Sequence, residues 1–312
     1  MTKCLVTGGA GFIGSNLVDE LIKQGNEVIT FDNESAECNE KFYWNDKSQN
    51  YKYDICNYEK TRSLYDGVDY VFHLAAESRL QPAILNPIEA ITKNAVGTCT
   101  VLQCAREAGV KRVVYSSTSA CYGLKNSPPM IETMPLDCLN PYSYTKVAGE
   151  NLCKMYSEMF GLETVILRYF NVYGERSPIR GQYAPVIGVF MRQRQAGEDI
   201  TVVGDGEQRR DFVHVKDIAK ANIIAATFNP PEYIVTDDII HNYWKWGQIF
   251  NIGSGKNHSI NEIAGMIGGN KTHIPQRVGE ARHTLANINK AKTVLRWQPE
   301  ISVEEWIASK VK

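Results

Sequence analysis

The chain has 312 residues, of which 43% are hydrophobic and 22% charged, and its formal net charge at pH 7 is −1. This size and composition are typical of a globular protein with one large core or two smaller ones. A charge so close to zero gives no attraction to nucleic acid or to an anionic membrane surface, so we expect neither as a partner. The eight cysteines include no C-x-x-C pair, which argues against a metal site.

The chain shows no cleavable apolar leader and no apolar run of 18 residues. We therefore expect a cytoplasmic protein with reduced thiols and without a membrane-spanning helix.

The first half of the chain alternates short apolar runs with amphipathic segments. Strands are predicted at 3–7, 28–31, 51–54, 68–74, 111–117 and 162–170, and helices at 12–24, 57–66, 83–108 and 141–160. The strands read as continuous apolar runs and alternate with helices. This pattern predicts an α/β fold with a doubly wound parallel sheet covered on both faces.

The second half is richer in loops, with helices predicted at 183–196, 215–227, 259–267 and 301–310. It predicts a smaller α/β C-terminal domain. The predicted division is 1–172, to which 213–252 returns, and a second domain formed by 173–212 with 253–312. The aromatic-rich segment 230–247 is interpreted as a packed surface loop or edge element rather than a lid.

Three glycines, Gly8, Gly11 and Gly14, lie between the first predicted strand and the first helix. A helix N-terminus attracts phosphate, and a glycine turn lets a diphosphate approach closely. A purely structural turn would show the same glycines. However, Asp32 ends the second strand, where its carboxylate is placed to bind a ribose diol and to repel a 2′-phosphate. The pattern therefore favours a Rossmann-type site for NAD rather than NADP.

Two further groups of residues carry chemistry. Tyr142 and Lys146 lie four residues apart on a predicted helix, where an ammonium would favour the phenolate form of the tyrosine. Such a pair also arises by coincidence on helix surfaces. Ser116, Ser117 and Thr118 end a predicted strand, the edge at which open parallel sheets bind ligands, although hydroxyl side chains also cap strand ends.

Together these segments resemble the extended short-chain dehydrogenase/reductase family. The likeness runs through TGGAGFIG, HLAA, SSTSACYG, PYSYTK, RYFNVYG, GDGEQRRDFVHVKD and RVGEARHTLANINKAK, in that order. It implies that Tyr142 is the catalytic acid/base, that Lys146 supports it and binds the nicotinamide ribose, and that Thr118 shares the reacting oxygen. The residues expected to bind NAD are Gly8, Gly11, Phe12, Ile13, Gly14, Asp32, Asn33, Asp54, Ile55, Leu74, Ala75, Ala76, Asn94, Ser116, Tyr142, Lys146 and Tyr169.

The family performs epimerisation, 4,6-dehydration, decarboxylation and reduction. Its dehydratases place Asp-Glu after the catalytic hydroxyl, where this chain has Ser119 and Ala120. Because neither residue transfers a proton near neutral pH, we expect a 4-epimerase that works through a 4-keto sugar. Glu77 in HLAAES is a feature shared with dehydratases, and we expect it to be structural or at the pocket rim. A 4,6-dehydratase and a non-catalytic NAD-binding sensor are the alternatives.

The resemblance also implies a UDP-sugar site. Arg210 and Arg277 match positions that clasp the diphosphate, Asn171 a phosphate contact and Glu280 the acid that holds the ribose. Thr201 and Val203 are candidates for the uracil wall. Thr284 stands where epimerases that reject N-acetyl sugars have a bulky tyrosine, so UDP-GlcNAc and UDP-GalNAc are expected substrates beside UDP-Glc and UDP-Gal. Family members usually pair through helices that match 83–108 and 141–160, which implies a homodimer.

Overall fold

The computed structural model of the protein describes residues 1–36, 39–78, 80–179, 184–236, 239–276 and 281–311. Its strands are β1 (Lys3–Thr7), β2 (Glu27–Phe31), β3 (Gln49–Tyr51), β4 (Tyr70–His73), β5 (Arg112–Thr118), β6 (Glu163–Tyr169), β7 (Asn171–Tyr173), β8 (Ile200–Val203), β9 (Arg209–His214), β10 (Tyr233–Thr236), β11 (Ile239–Tyr243), β12 (Gln248–Ile252), β13 (Asn257–Ser259) and β14 (Lys271–Ile274).

The α-helices are α1 (Phe12–Lys23), α2 (Tyr58–Thr61), α3 (Leu80–Leu85), α4 (Pro87–Ile91), α5 (Gly97–Glu107), α6 (Pro141–Phe160), α7 (Val186–Gln195), α8 (Val215–Thr227), α9 (Ile260–Ile267) and α10 (Val303–Lys310). None of the helices in the described residues is both long and apolar enough to cross a bilayer.

A seven-stranded parallel sheet forms the centre of the molecule, in the order β12-β6-β5-β4-β1-β2-β3. The chain runs outward from β1 through β2 to β3 and then crosses back to β4 on the other side of β1. In such a sheet a crevice opens at the carboxyl ends of the strands where the order reverses. The predicted doubly wound α/β fold is therefore confirmed.

Apolar side chains cover both faces of this sheet. On one face, Leu17 and Leu21 of α1 are buried with residues of α8. On the other, Val101 and Leu102 of α5 pack with Tyr156 of α6. Each fully buried side chain of this size contributes about 1.5–3 kcal/mol to the free energy of unfolding. The two packed layers therefore hold the strands of the sheet in place.

The predicted helix 83–108 is the main departure from the sequence prediction. Asn86 accepts a hydrogen bond from the Glu89 amide and Pro87 occupies the first helical position, so a new helix begins inside the predicted one. The segment Thr92–Val96 then adopts a π-helical turn before α5. By contrast, the predicted helices 141–160 and 215–227 have the bounds of α6 and α8.

The C-terminal half adds a three-stranded sheet, β13-β9-β7, and the pair β14-β8. These pack with α7, α9 and α10 around a separate apolar cluster that includes Phe190, Ile200 and Ile263. The chain also returns to the central sheet through β12, at its edge beside β6. The predicted domain limits remain a prediction.

Within the segment 230–247, β10 and β11 pair antiparallel as the two arms of a hairpin, and residues 237–238 lie outside the described residues. After the hairpin, the rings of Trp244 and Trp246 lie 5.4 and 6.1 Å from that of Phe228, which follows α8. These contacts fix the base of the hairpin to the body of the protein.

Candidate active site

Two cavities adjoin at the carboxyl edge of the central sheet. The first, of about 290 Å³, lies over the glycine turn and the ends of β2, β4 and β5. The second, of about 570 Å³, lies between the sheet and the C-terminal half. Both are lined by Phe12, Ile13, Ser78, Ser117, Tyr142, Tyr169, Ala184 and Pro185. The phenol of Tyr142 therefore belongs to the wall between the two cavities.

The glycine turn is built by close backbone contacts. Gly8 has a φ of +68°, and a Cβ there would come within 2.7 Å of the Ala75 nitrogen. A Cβ on Gly14 would overlap the Gly8 carbonyl oxygen. Gly11 caps α1 and lines the first cavity, and a Cβ there would approach Gly8 no closer than 3.4 Å. Gly11 thus leaves open the space in which a diphosphate meets the positive end of α1.

Carboxylates line the far end of the first cavity. Asp32 accepts hydrogen bonds from the amides of Glu34, at 2.7 Å, and Ala10, at 3.3 Å. Burial raises the pKa of Asp32, and these amides oppose the rise. Burial would also raise the pKa of Asp54, but hydrogen bonds from Cys56 and Asn33 hold it below its ordinary value. This end of the cavity therefore presents hydrogen-bond acceptors to a ribose.

The residues predicted to bind NAD line the first cavity, with one exception. Asn94 is buried and is not among the lining residues. Its Oδ1 accepts a hydrogen bond from the Glu77 amide at 2.7 Å, and its Nδ2 donates to the Glu77 carbonyl and to Thr145 Oγ1. Asn94 thereby joins the turn after β4 to helix α6, and its contact with NAD stays a prediction.

Other lining residues were not predicted. They include Asn39, Tyr53, Lys93 and Pro178. Tyr53 immediately precedes Asp54 in YKYD, and this position next to a predicted cofactor residue could have indicated that Tyr53 lines the cavity. Lys93 reaches the cavity from the π-helical turn, which has no signal in the sequence.

The proton-transfer residues lie at the start of α6. Asn140 accepts a hydrogen bond from the Ser143 amide at 2.9 Å and so fixes the first turn that bears Tyr142. Lys146 Nζ donates to the Ser116 carbonyl oxygen at 2.8 Å, and burial lowers the pKa of Lys146 to about 8. Helix α6 is thereby clamped against the end of β5.

The phenol of Tyr142 is not acidic in this arrangement. Burial raises its pKa, and Cys121 adds to the rise. Within the described residues, the group that opposes these effects is the Thr118 hydroxyl, through a hydrogen bond. Burial therefore opposes the phenolate form of Tyr142, and a further positive charge beside the phenol would favour it.

The second cavity is largely apolar. Arg210 is the one charged residue, and no carboxylate is present, among the described residues that line it. Ser119 and Ala120 form part of its wall beside Thr118. Glu77 lines neither cavity, and its carboxylate lies 3.9 Å from Lys93 Nζ.

The predicted substrate residues gather in this second cavity. Asn171 Nδ2 donates to the Asp211 carbonyl at 3.0 Å, and Gln193 Nε2 donates to Thr201 Oγ1 at 2.9 Å. Arg277 and Glu280 lie outside the described residues. The six that line the cavity are Thr118, Asn171, Thr201, Val203, Arg210 and Thr284.

One known protein family matches most of the chain. The model of the NAD dependent epimerase/dehydratase family matches residues 4–253. The chain belongs to this family. Its members are NAD-dependent, and the glycine turn, the Asp32 carboxylate in the wall and the absence of arginine from the described residues of the first cavity fit NAD.

Related proteins share the whole architecture. The chain is 36% identical over 311 residues to a putative UDP-glucose 4-epimerase of Methanocaldococcus jannaschii, covering 97% of this chain and 95% of the other. It is similar to the UDP-glucose 4-epimerase of Thermotoga maritima, solved with UDP-glucose, with a TM-score of 0.88 at 31% identity and coverage of 99% and 97%. A UDP-N-acetylglucosamine 4-epimerase of Methanobrevibacter ruminantium, bound to UDP-N-acetylmuramic acid, gives a TM-score of 0.87 at the same identity and coverage.

Proteins with other reactions are also similar. A UDP-N-acetyl-alpha-D-glucosaminuronate decarboxylase of Bacillus cytotoxicus is 32% identical, over 99% of this chain and 97% of its own. Nucleotide-sugar chemistry is thus common to the relatives, and the reaction has to be argued from the residues in the cavities.

Proposed function

We propose that the protein is an NAD-dependent 4-epimerase of UDP-hexoses. It would interconvert UDP-Glc and UDP-Gal, and also UDP-GlcNAc and UDP-GalNAc. The observation that supports this proposal most directly is the composition of the second cavity. Tyr142 lies on the wall shared with the cofactor cavity, and no carboxylate stands beside it among the described lining residues.

In this mechanism Tyr142 accepts the proton of the sugar C4 hydroxyl. Thr118, which hydrogen bonds to the phenol, orients the same oxygen. Bound NAD would accept a hydride from C4 and later return it, and its positive charge would favour the tyrosinate. After the 4-keto sugar has turned, Tyr142 returns the proton to the C4 oxygen, while the hydride would be returned to the opposite face of C4. Lys146 keeps its ammonium beside the phenol throughout.

The turning sugar needs an anchor that does not move. Arg210 is the charged side chain in the described wall of the cavity, and a guanidinium suits a diphosphate because it donates two parallel hydrogen bonds. We infer that it holds the diphosphate while the mainly apolar wall leaves the hexose free to rotate. With Arg210 so engaged, no other cation of the described wall faces a C6 carboxylate, which favours a neutral hexose over a uronic acid.

The N-acetyl preference depends on Thr284. Its side chain lines the second cavity, and its hydroxyl accepts a hydrogen bond from the Asp211 amide at 3.4 Å. A side chain of this size leaves room beside C2 for an acetamido group. Both N-acetylated and plain hexoses are therefore included in the proposal.

A 4,6-dehydratase is the main enzymatic alternative. A dTDP-glucose 4,6-dehydratase of Streptomyces venezuelae has a TM-score of 0.83 with this chain at 26% identity, with coverage of 99% and 96%. Eliminating water requires an additional acid and base. Glu77, the residue that could suggest one, lines neither cavity and approaches Lys93 instead.

We further propose a homodimer. Large apolar side chains are exposed on the segments that the family uses for pairing, including Leu85 at 80%, Ile88 at 78% and, on α6, Met159 at 69%. A second copy would cover them. Light scattering of the wild type and of Leu85→Glu/Ile88→Glu would show a dimer and a monomer respectively, and a monomeric wild type would contradict this.

One experiment separates the candidate functions. Purified protein with NAD is incubated with UDP-Glc, UDP-GlcNAc or dTDP-glucose, and the products are separated. We expect the 4-epimers of the first two. A dehydrated 4-keto-6-deoxy product from dTDP-glucose would establish the dehydratase, and tight NAD binding without any turnover would establish the non-catalytic sensor.

A further inference from the structure

Three functional side chains follow one another along one face of α6. Tyr142, Lys146 and Glu150 are spaced by four residues, so they lie one above the next. Lys146 donates to the Ser116 carbonyl, and Ser117 Oγ donates to Glu150 Oε1 at 2.5 Å. The proposed reaction uses the first two residues and gives no role to Glu150, which is 1% exposed.

Glu150 connects α6 to β5 and β6, two neighbouring strands whose ends lie at the cavities. Arg168 of β6 donates from Nε to Glu150 Oε1 at 2.8 Å and from Nη2 to Oε2 at 2.7 Å. Arg168 lies directly opposite Ser117 in the β5–β6 register. Its Nη1 also donates to the hydroxyl of Tyr122, a residue of the second cavity. The carboxylate of Glu150 therefore fixes one turn of α6 to the strand end that bears the reacting groups.

Stability of the fold does not by itself explain why this ion pair is buried. Two buried charges lose hydration, and well-packed apolar residues of similar volume often stabilise a fold equally well or better. The position of the pair, one turn from Lys146, suggests a second role.

The groups around Lys146 come from three elements. His73 faces it from β4 and Tyr115 from β5, with the Tyr115 ring centroid 5.2 Å from Nζ. Burial lowers the pKa of His73 to about 3 and keeps that of Tyr115 well above its ordinary value, so both are neutral near pH 7. Cys153 and Glu150 act from α6 itself and oppose the lowering of the Lys146 pKa. Burial keeps the Cys153 thiol neutral by raising its pKa, which leaves Glu150 as the negative charge.

We propose that Glu150 is a positioning residue for proton transfer. It keeps Lys146 as an ammonium and fixes α6 against the end of β5, so that Tyr142 and Lys146 stay beside the reacting oxygen. This inference rests on the proposed function, since the role of Lys146 belongs to that reaction.

The test compares Glu150 with a second glutamate that also forms an ion pair with an arginine. Glu163→Gln is the control, because Glu163 pairs with Arg112 across the same two strands at their opposite ends, with Nη2–Oε2 at 2.8 Å. In Glu150→Gln we expect the alkaline limb of the kcat profile to move down by about one pH unit, since an opposite charge no longer favours the ammonium. We expect kcat at neutral pH to fall about tenfold with KM unchanged, because misplaced groups slow the chemical step. Glu163→Gln should leave the limb in place, and Glu150→Asp should restore it.

A second readout does not depend on turnover. Lys146 is 4% exposed and lines the first cavity, so a small acylating reagent that enters this cavity in the ligand-free protein is the probe of its neutral amine. Its labelling rate against pH, followed by mass spectrometry of the peptide, should reach its midpoint at a lower pH in Glu150→Gln than in the wild type. If that variant does not fold, Glu150→Gln/Arg168→Gln leaves neither charge unpaired, and its midpoint should shift in the same direction by a smaller amount, because the Arg168 charge that opposes the ammonium is also lost.

The possible outcomes separate the two proposals. Unchanged limb and labelling midpoint in folded Glu150→Gln would overturn the positioning role, as would an equal shift in Glu163→Gln. A wild type without epimerase activity would contradict the proposed function, and the labelling midpoints would still decide whether Glu150 holds the charge of Lys146.

Discussion

The two cavities that meet at Tyr142 have walls of different kinds. The first is shaped by the backbone of the glycine turn and contains Asp32, Asp54, Lys93 and Lys146. The second has an apolar wall in which Arg210 is the charged member among the described residues. The first wall is therefore formed largely by βα turns within residues 8–93, whereas the second is formed by single side chains from segments as far along the chain as Thr284.

The largest expected effect is at the residue common to both cavities. Tyr142→Phe removes the proton acceptor and should lower kcat by about 10³-fold, because general acid–base catalysis contributes on that order. NAD binding, measured by isothermal titration, should persist. Tyr144→Phe is the matched control, since Tyr144 is two residues away on α6 and 65% exposed. Undiminished epimerisation by Tyr142→Phe would remove it from the mechanism.

A side chain added to the glycine turn should disrupt the first cavity. A Cβ at Gly14 would overlap the Gly8 carbonyl, so Gly14→Ala should lower the free energy of unfolding by about 3 kcal/mol and weaken NAD binding. Gly265→Ala in α9 has open space around the added methyl group and should stabilise by about 0.5–1 kcal/mol. Thermal melting with and without NAD would measure both effects. Equal stability and NAD affinity in Gly14→Ala would contradict this account.

Removing one charge from the second cavity, that of Arg210, should weaken substrate binding. Arg210→Leu should raise KM for UDP-sugars by about 100-fold, because a charge-assisted contact to the diphosphate is lost. Arg209→Leu is its control, since Arg209 pairs with Glu262 at 3.0 Å and does not line the cavity. NAD affinity should be unchanged in both. A KM for Arg210→Leu within twofold of the wild type would place the anchor elsewhere.

The same contrast explains what the sequence could predict. The strands β1, β2, β4, β5 and β6 and the helices α6 and α8 were predictable because apolar runs and capping residues are local signals, whereas the strand predicted at 51–54 is β3 at Gln49–Tyr51 and the strands after β6 were not predicted. The break at Asn86 and Pro87 was readable in principle, but the long apolar periodicity of 83–108 concealed it. Asn94 was expected at the cofactor from the family resemblance, whereas its hydrogen bonds to Glu77 and Thr145 depend on the fold and have no signal in the sequence.

The substrate side was harder for a physical reason. Successive residues of a strand point to opposite faces of the sheet. The sequence alone therefore does not show whether Arg209 or Arg210 faces the cavity. The motif resemblance, rather than composition, selected Arg210. The charge state of Tyr142 was beyond sequence reasoning because burial, which raises its pKa, depends on how α6 packs.

A smaller effect should appear with pH. Burial disfavours the charged form of Lys146, so its proton is lost at lower pH than that of an exposed lysine, with a pKa of about 8. Epimerisation should therefore fall about tenfold per unit as pH rises beyond that value. In Lys146→Arg the guanidinium stays charged, so kcat should be lower but the alkaline decline should disappear. An identical decline in Lys146→Arg would assign it to another group.

The smallest expected effect concerns the sugar itself. Thr284→Tyr places a ring in the second cavity beside the strand that bears Arg210, since the Thr284 amide donates to the Arg209 carbonyl at 3.0 Å. Filling the space next to C2 should lower kcat/KM for UDP-GlcNAc by about tenfold or more, with little change for UDP-Glc, because steric exclusion discriminates by that order. Thr284→Ser is the control and should turn over both sugars like the wild type. Equal losses for the two sugars in Thr284→Tyr would mean that the position shapes the cavity as a whole rather than choosing between substituents at C2.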